Sequence, residues 1–230
     1  LWEGGAFTEV AEWEDGWPVA DPTAWRFTGV PSLSSGGHVA SVQSRGECNP
    51  QPSPLPPDCE TRAIVWHDGE TTPLPGGNGH TSGVNRRGDV IGSSAQHGGV
   101  VWRDGRPTSL GLTPHDINDQ GQIAGTWSWW FLRRAAVWDD GRLTVLGTLG
   151  GLNSSAFAIN ERGQVIGTSD TASGESHVFL WDDGEMVDLT PHENDPALDP
   201  RPIAMNDRGQ VVGYSEDRLP VEAELWEVTG

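Results

Sequence analysis

Apolar and polar residues alternate in short runs along most of this chain, and the runs are cut off at intervals by Asn-x-x-Gly or Asp-Gly. No segment shows the 3.6-residue period of an amphipathic helix, so the pattern predicts strands joined by tight turns. In the clearest stretch one strand ends at Ile159-Asn160 and a second runs from Gly163 to Ser169. A third runs from Val178 to Trp181 and a fourth from Glu185 to Leu189. Asn160 opens a type I turn and Gly163 takes the left-handed position that closes it; Asp183-Gly184 does the same between the third and fourth strands.

This four-strand unit repeats. Trp recurs at 66, 102, 138, 181 and 226, at spacings of 36, 36, 43 and 45 residues. The Asn turn recurs in phase at Asn85, Asn118, Asn160 and Asn206, with a degenerate copy from Leu33 to Ser41. Repeated four-stranded units of this size predict an all-β fold, a β-propeller of four-stranded blades. Gly92, Gly125, Gly167 and Gly213, inside the second strand of each unit, are expected to leave room for a large neighbour such as the third-strand Trp. The stretch from Leu1 to Val10 matches that from Leu180 to Leu189, so the chain starts in the middle of a blade and ends at Trp226 in the same place. The expectation is a single domain, 1–230, with repeat units 1–61, 62–97, 98–133, 134–176 and 177–221 and a closing strand 222–230. N- and C-terminal strands would pair in one sheet to close the ring. First and second strands count to five blades; Trp2 and Trp226 compete for one slot, and six blades is the alternative.

The pattern Ala-x-x-Ile-Asn-x-x-Gly-Gln-Val-x-Gly, followed by His-Ala-Phe-Leu-Trp-x-x-Gly, resembles the HAF repeat of bacterial extracellular proteins. The match covers most of 62–226 and is best over Ser155–Leu189, where the triplet reads His177-Val178-Phe179. Other copies depart from it, as Arg62-Ala63-Ile64, Gly98-Gly99-Val100 and Arg134-Ala135-Ala136. The resemblance implies repeat architecture and secretion, and no reaction.

Charge narrows the functions. Acidic residues outnumber basic ones 33 to 14, for a formal charge of -19, which disfavours nucleic acid and anionic lipid as partners. Every basic residue is Arg, so Schiff-base chemistry and a P-loop lysine are excluded. No apolar run reaches the roughly 20 residues of a membrane span. Cys48 and Cys59 flank a Pro-rich stretch with no His nearby for zinc, which predicts a disulfide and a secreted protein. No nucleotide fingerprint or catalytic elbow is present, and no cofactor or metal is implied. A monomer is expected.

Function is expected on the face opposite the repeated turns, where connections vary in length and composition. Trp127, Trp129 and Trp130, with Arg133, form the densest aromatic segment, and Trp13, Trp17 and Trp25 add three indoles outside the repeat positions. Flat apolar rings with a polar tip suit sugar faces, aromatic ligands or a protein partner; alternatively, the six pack together and cap the channel. Counting back from each Asn, His80, Thr113, Ser155 and Arg201 occupy one position near the channel mouth. His115 and Asp116 lie close behind, where other blades carry small or apolar residues. The leading expectation is a secreted module that binds a glycan or similar small ligand, with the Trp residues as anchors and Arg133, Arg201 and His80 setting orientation. The alternative is an enzyme, a hydrolase, lyase or cyclase, using His80, His115 and Asp116 as acid/base groups. Weaker candidates are His80, His115 and His192 as three metal ligands, and Asp195 and Asp199, with Asp116, as glycosidase carboxylates.

Overall fold

A computed structural model describes residues 2–3, 6–7, 25–27, 31–46, 48, 59–190, 200–215 and 223–227. All their regular structure is strand, and every paired strand is antiparallel to its neighbour. β1 (Trp2–Glu3) and β2 (Ala6–Phe7) form a small hairpin of their own. The first large sheet contains β3 (Arg26–Phe27), β4 (Ser32–Leu33), β5 (Val39–Arg45), β6 (Glu60–His67) and β7 (Glu70–Pro73); β3 and β4 both pair with β5. The second comprises β8 (Gly79–Val84), β9 (Val90–Ser94), β10 (Gly98–Arg103) and β11 (Arg106–Ser109). The third comprises β12 (Thr113–Ile117), β13 (Ile123–Trp129), β14 (Leu132–Asp139) and β15 (Arg142–Gly147). The fourth comprises β16 (Gly150–Ile159), β17 (Val165–Thr171), β18 (Ser176–Asp182) and β19 (Glu185–Asp188). The fifth comprises β20 (Pro200–Met205), β21 (Gln210–Ser215) and β22 (Ala223–Glu227). Strand order follows chain order within the second to fifth sheets, so each is a meander.

The core lies between successive sheets. Val90, Val100 and Trp102 of the second sheet pack on Ala40 and Ala63 of the first, and Ala124, Ala135 and Val137 of the third pack on Val165 and Phe179 of the fourth. Of the third-strand Trp residues, Trp102 and Trp138 are buried in the core and half-buried Trp181 packs against it, while Trp66 is half-buried. β22 occupies the third position of the fifth sheet, whereas β1 pairs only with β2. No strand pair joins the two ends of the chain among the described residues.

Two turn chemistries define the face carrying the repeated turns. Between third and fourth strands, Asp68-Gly69, Asp104-Gly105, Asp140-Gly141 and Asp183-Gly184 all have positive φ at both residues, the requirement of a type I′ hairpin. Between first and second strands, each Asn does more than open a turn. The Asn118 side-chain oxygen Oδ1 accepts the backbone N–H groups of Gln120 and Gln122, while its Nδ2 donates to Gln122 Oε1 at 2.8 Å and to the Asn160 backbone carbonyl of the next sheet at 3.0 Å. Asn85 reaches Asn118 in the same way, and Asn160 reaches Asn206. A parallel set runs through the next residue: the N–H groups of Arg86, Asp119 and Glu161 donate to Asp119, Glu161 and Asp207 respectively. The acidic turn residues are thus acceptors between blades.

The glycine inside the second strand serves a different purpose from the one its neighbours in sequence suggest. In β8, β12, β16 and β20 the pairing register shifts by one residue at Ser82, His115, Phe157 and Ile203. This bulge presses a first-strand carbonyl onto the glycine opposite. A Cβ on Gly92, Gly125 or Gly167 would overlap the carbonyl oxygen of His80, Thr113 or Ser155. The backbone, and not the third-strand Trp, excludes a side chain there; at Gly125 the Leu112 side chain and at Gly167 the ring of Phe179 add a further contact.

The Cys48–Cys59 disulfide is present, with 4.9 Å between Cα atoms. It lies just beyond the last β5–β6 pair, Arg45 with Glu60, whose side chains form an ion pair. Closing this loop contributes about 3 kcal/mol by chain entropy. Reduction with dithiothreitol is expected to lower the urea midpoint accordingly, and an unchanged midpoint would show that β5–β6 holds without the clip.

Candidate functional site

The segment expected to be a Trp-rich loop is instead a continuous hairpin. β13 runs through Trp129 and β14 begins at Leu132, with Trp127 opposite Arg134, Ser128 opposite Arg133 and Trp129 opposite Leu132. Other connections described on this side are short as well: residues 95–97 join β9 to β10, and 148–149 join β15 to β16. The long variable stretches 8–24, 49–58 and 191–199 lie outside the described residues, together with Trp13, Trp17, His192, Asp195 and Asp199.

Strand alternation separates residues that the sequence places together. Directly opposed residues of an antiparallel pair share a face, so Trp127, Trp129, Leu132 and Arg134 stand on one side of the hairpin, and Ser128 and Arg133 on the other. The Trp127 side is continuous with Ala136 and Trp138, which pack on the second sheet, and Trp127 itself closes over that core. The Arg133 side is continuous with Ala135 and Val137, which pack on the fourth sheet. The Trp127 and Trp129 rings are near-parallel, 5° apart in plane with centroids 6.5 Å apart. Trp129 is 62% exposed, Trp130 86% and Phe131 90%. Trp130 holds a left-handed φ of 56° at the tip. A bulky residue in that conformation costs about 1–2 kcal/mol, and such strain gathers at functional positions.

Trp25 is engaged elsewhere. The guanidinium carbons of Arg62 and Arg45 lie 4.0 and 4.7 Å from its ring centroid, and Arg62 is held in turn by the Gln43 side-chain oxygen. Arg201 lies on β20 opposite Tyr214; its side chain is outside the described structure.

The acid/base candidates are tied into the seams between blades. His115 is the bulge residue of β12, and its Nδ1 donates to the Ala156 carbonyl of β16 at 2.6 Å. Ser82, the bulge residue of β8, makes the matching bond to Pro114. His115 also stacks on Phe157. Asp116 Oδ1 accepts the Ile117 N–H and Oδ2 the Ile159 N–H of the next sheet, both at 2.9 Å. Simple alternation would point His115 and Asp116 to opposite faces, but the bulge lets both reach β16. Burial raises the Asp116 pKa, and the two backbone donors pull it back. His80 is exposed and 2.9 Å from Ser93 Oγ, with no hydrogen bond to His115 or Asp116 among the described residues. Asp116→Ala strands the Ile159 N–H between blades and is expected to cost about 2 kcal/mol in urea denaturation. A variant as stable as the parent would free Asp116 from this scaffold role.

Two cavities flank these seams. One, of about 280 Å³, lies by the repeated turns between the first and second sheets and includes His38, His67, Glu70, Arg87, Trp102 and Asp104. His38 and His67 stack there with centroids 4.0 Å apart, and burial, then His67, lowers the His38 pKa. The other, of about 230 Å³, is lined by Arg133, Asn153, Ser154, Ser155, Thr168 and Asp170. Sequence reading picked out Arg133 and Ser155 but not their neighbours, whose convergence depends on packing between blades. No group of three or more His, Cys, Asp or Glu disposed to hold a metal occurs among the described residues. No helix among them is long and apolar enough to cross a membrane.

With this geometry the chain is a propeller-type domain of antiparallel, mostly four-stranded sheets. Its fold is similar to the β-propeller domain of the Trilobed protease from Pyrococcus furiosus, whose structure is described as an open velcro topology (TM-score 0.57, 11% identity, covering 88% of this chain and 69% of that one). It is also similar to dipeptidyl peptidase 4 from Porphyromonas gingivalis (TM-score 0.55, 10% identity, 80% of this chain and 33% of that one). A putative TolB from Agrobacterium tumefaciens compares alike (TM-score 0.54, 14% identity, 90% and 78%). At these identities the likeness is of fold alone. No family model matches the sequence, and no curated protein matches it.

Proposed function

We propose that this chain is an extracellular five-bladed propeller of the HAF-repeat kind that binds a glycan through the aromatic tip of the β13–β14 hairpin. The observation that carries the reading is the exposure of Trp129, Trp130 and Phe131 at a tip where Trp130 holds a left-handed φ. Evolving a strained aromatic tip on a scaffold that otherwise uses favourable turns makes sense when the rings contact something; sugar faces stack on such rings. The disulfide supports an oxidising compartment. Five blades rest on the five large sheets, and ring closure would bring β1–β2 beside β22.

The enzyme reading draws on the raised pKa of Asp116, the direction needed for a general acid. Its Oδ2 and His115 Nδ1 already serve the blade seam and its Oδ1 is taken by the adjacent Ile117 N–H, which favours the binding module.

A glycan array followed by titration of its hits, read by intrinsic Trp fluorescence, tests the proposal. Replacing Trp129, Trp130 and Phe131 together by Ala is expected to weaken binding at least 100-fold while leaving the thermal midpoint in place or higher. Undiminished binding by the triple variant would refute it.

A further inference from the structure

Resting on that saccharide reading, we propose a second subsite: the cavity lined by Arg133, Asn153, Ser155, Thr168 and Asp170 holds one neutral sugar residue of the same glycan through a pair of adjacent hydroxyls. It lies on the side of the hairpin away from Trp129, since Arg133 and Trp129 stand on opposite faces of β13–β14. Its volume of about 230 Å³ suits a single pyranose ring.

The lining chemistry selects the ligand class. Ser155 and Thr168 are direct cross-strand partners of β16 and β17, and Asp170 lies two residues beyond Thr168, so the three side chains share one face. Asn153 orders the wall: its backbone N–H and its side-chain Nδ2 both donate to Asp170 Oδ2 (2.9 and 3.0 Å), and its side-chain Oδ1 accepts the Arg133 backbone N–H. That leaves Asp170 Oδ1 as an acceptor. No hydrogen bond to the rest of the described chain occupies the Ser155 hydroxyl, the Thr168 hydroxyl or the Asp170 Oδ1 atom. The Arg133 guanidinium makes no ion pair among the described residues either. An anion there would meet the Asp170 carboxylate and a cation would meet Arg133. Neighbouring hydroxyls, each both donor and acceptor, satisfy the two charges at once.

The probes are methyl glucoside, methyl mannoside and methyl galactoside, with β-1,4-linked tetrasaccharides of the same sugars, followed by saturation-transfer NMR and calorimetry. Ser155→Ala with Thr168→Val removes two hydroxyls that hold nothing in the fold, so the double variant is expected to keep its thermal midpoint. It should bind a recognised tetrasaccharide 5- to 10-fold more weakly and lose the methyl glycoside signal, which Trp129→Ala should retain. Binding that depends on Trp129 but is indifferent to Ser155 and Thr168 would overturn the subsite and leave the aromatic tip standing. Methyl glycoside binding that needs Thr168, with tetrasaccharide binding indifferent to Trp129, would uphold the subsite against the aromatic reading. No saccharide bound by the parent protein would overturn both.

Discussion

Gly167→Ala should destabilise the domain by about 3 kcal/mol or more, because its new methyl group meets a backbone carbonyl that no rotamer change can move. The Ser155 carbonyl is held against Gly167 by the bulge at Phe157, and Phe179 closes the other side. Relief would require β16 to give up the bulge, and with it the register that lets first strands touch across the seams. Gly174→Ala is the comparison: Gly174 has φ 94° but nothing within 4 Å of an added Cβ, so only backbone strain of about 1–2 kcal/mol applies. Urea denaturation of the two variants separates packing against backbone from conformational strain. Equal costs would show that the carbonyl yields.

Asn118→Asp should cost about 3 kcal/mol or more at pH 7, although it changes one atom. The Asn118 amide is buried and uses both donors and its acceptor, within its own turn and across to Asn160. A carboxylate keeps the acceptor bonds but turns an oxygen toward Gln122 Oε1 and the Asn160 carbonyl. The new carboxyl would have a raised pKa when folded. Its penalty is therefore full above that pKa and shrinks as pH falls through it, since the protonated acid can again donate one bond. Asn206→Asp gives the contrast. Asn206 is exposed and its amide donates to Gln210, with no later turn to reach in the described structure. About 1 kcal/mol is expected there. A cost as large as at Asn118 would reveal a closed seam between the fifth and first sheets.

Much of the fold was legible because its signals are local. Asn-x-x-Gly and Asp-Gly mark turns through the backbone angles their own residues tolerate, and the predicted strand limits around Ile159, Ser169, Trp181 and Leu189 lie within a few residues of β16 to β19. Cys48 and Cys59 were legible for the same reason, being eleven residues apart on one loop. The aromatic segment was visible as composition but misread as a loop. Its two-sided character was hidden until Trp129 and Leu132 were seen to pair, because only a defined register assigns Arg133 to the opposite face.

The sequence by itself determined the repeat, the meander of short strands, the turns and the disulfide, since each is set by residues close together along the chain. The tertiary structure decided what His115, Asp116, Asn118 and the acidic turn residues are for. Their partners Ala156, Ile159, Asn160 and Glu161 lie about forty positions away. A polar side chain near a channel reads equally well as catalyst or as staple until the group it bonds is known. That group is supplied by the next blade, through packing that no local pattern encodes.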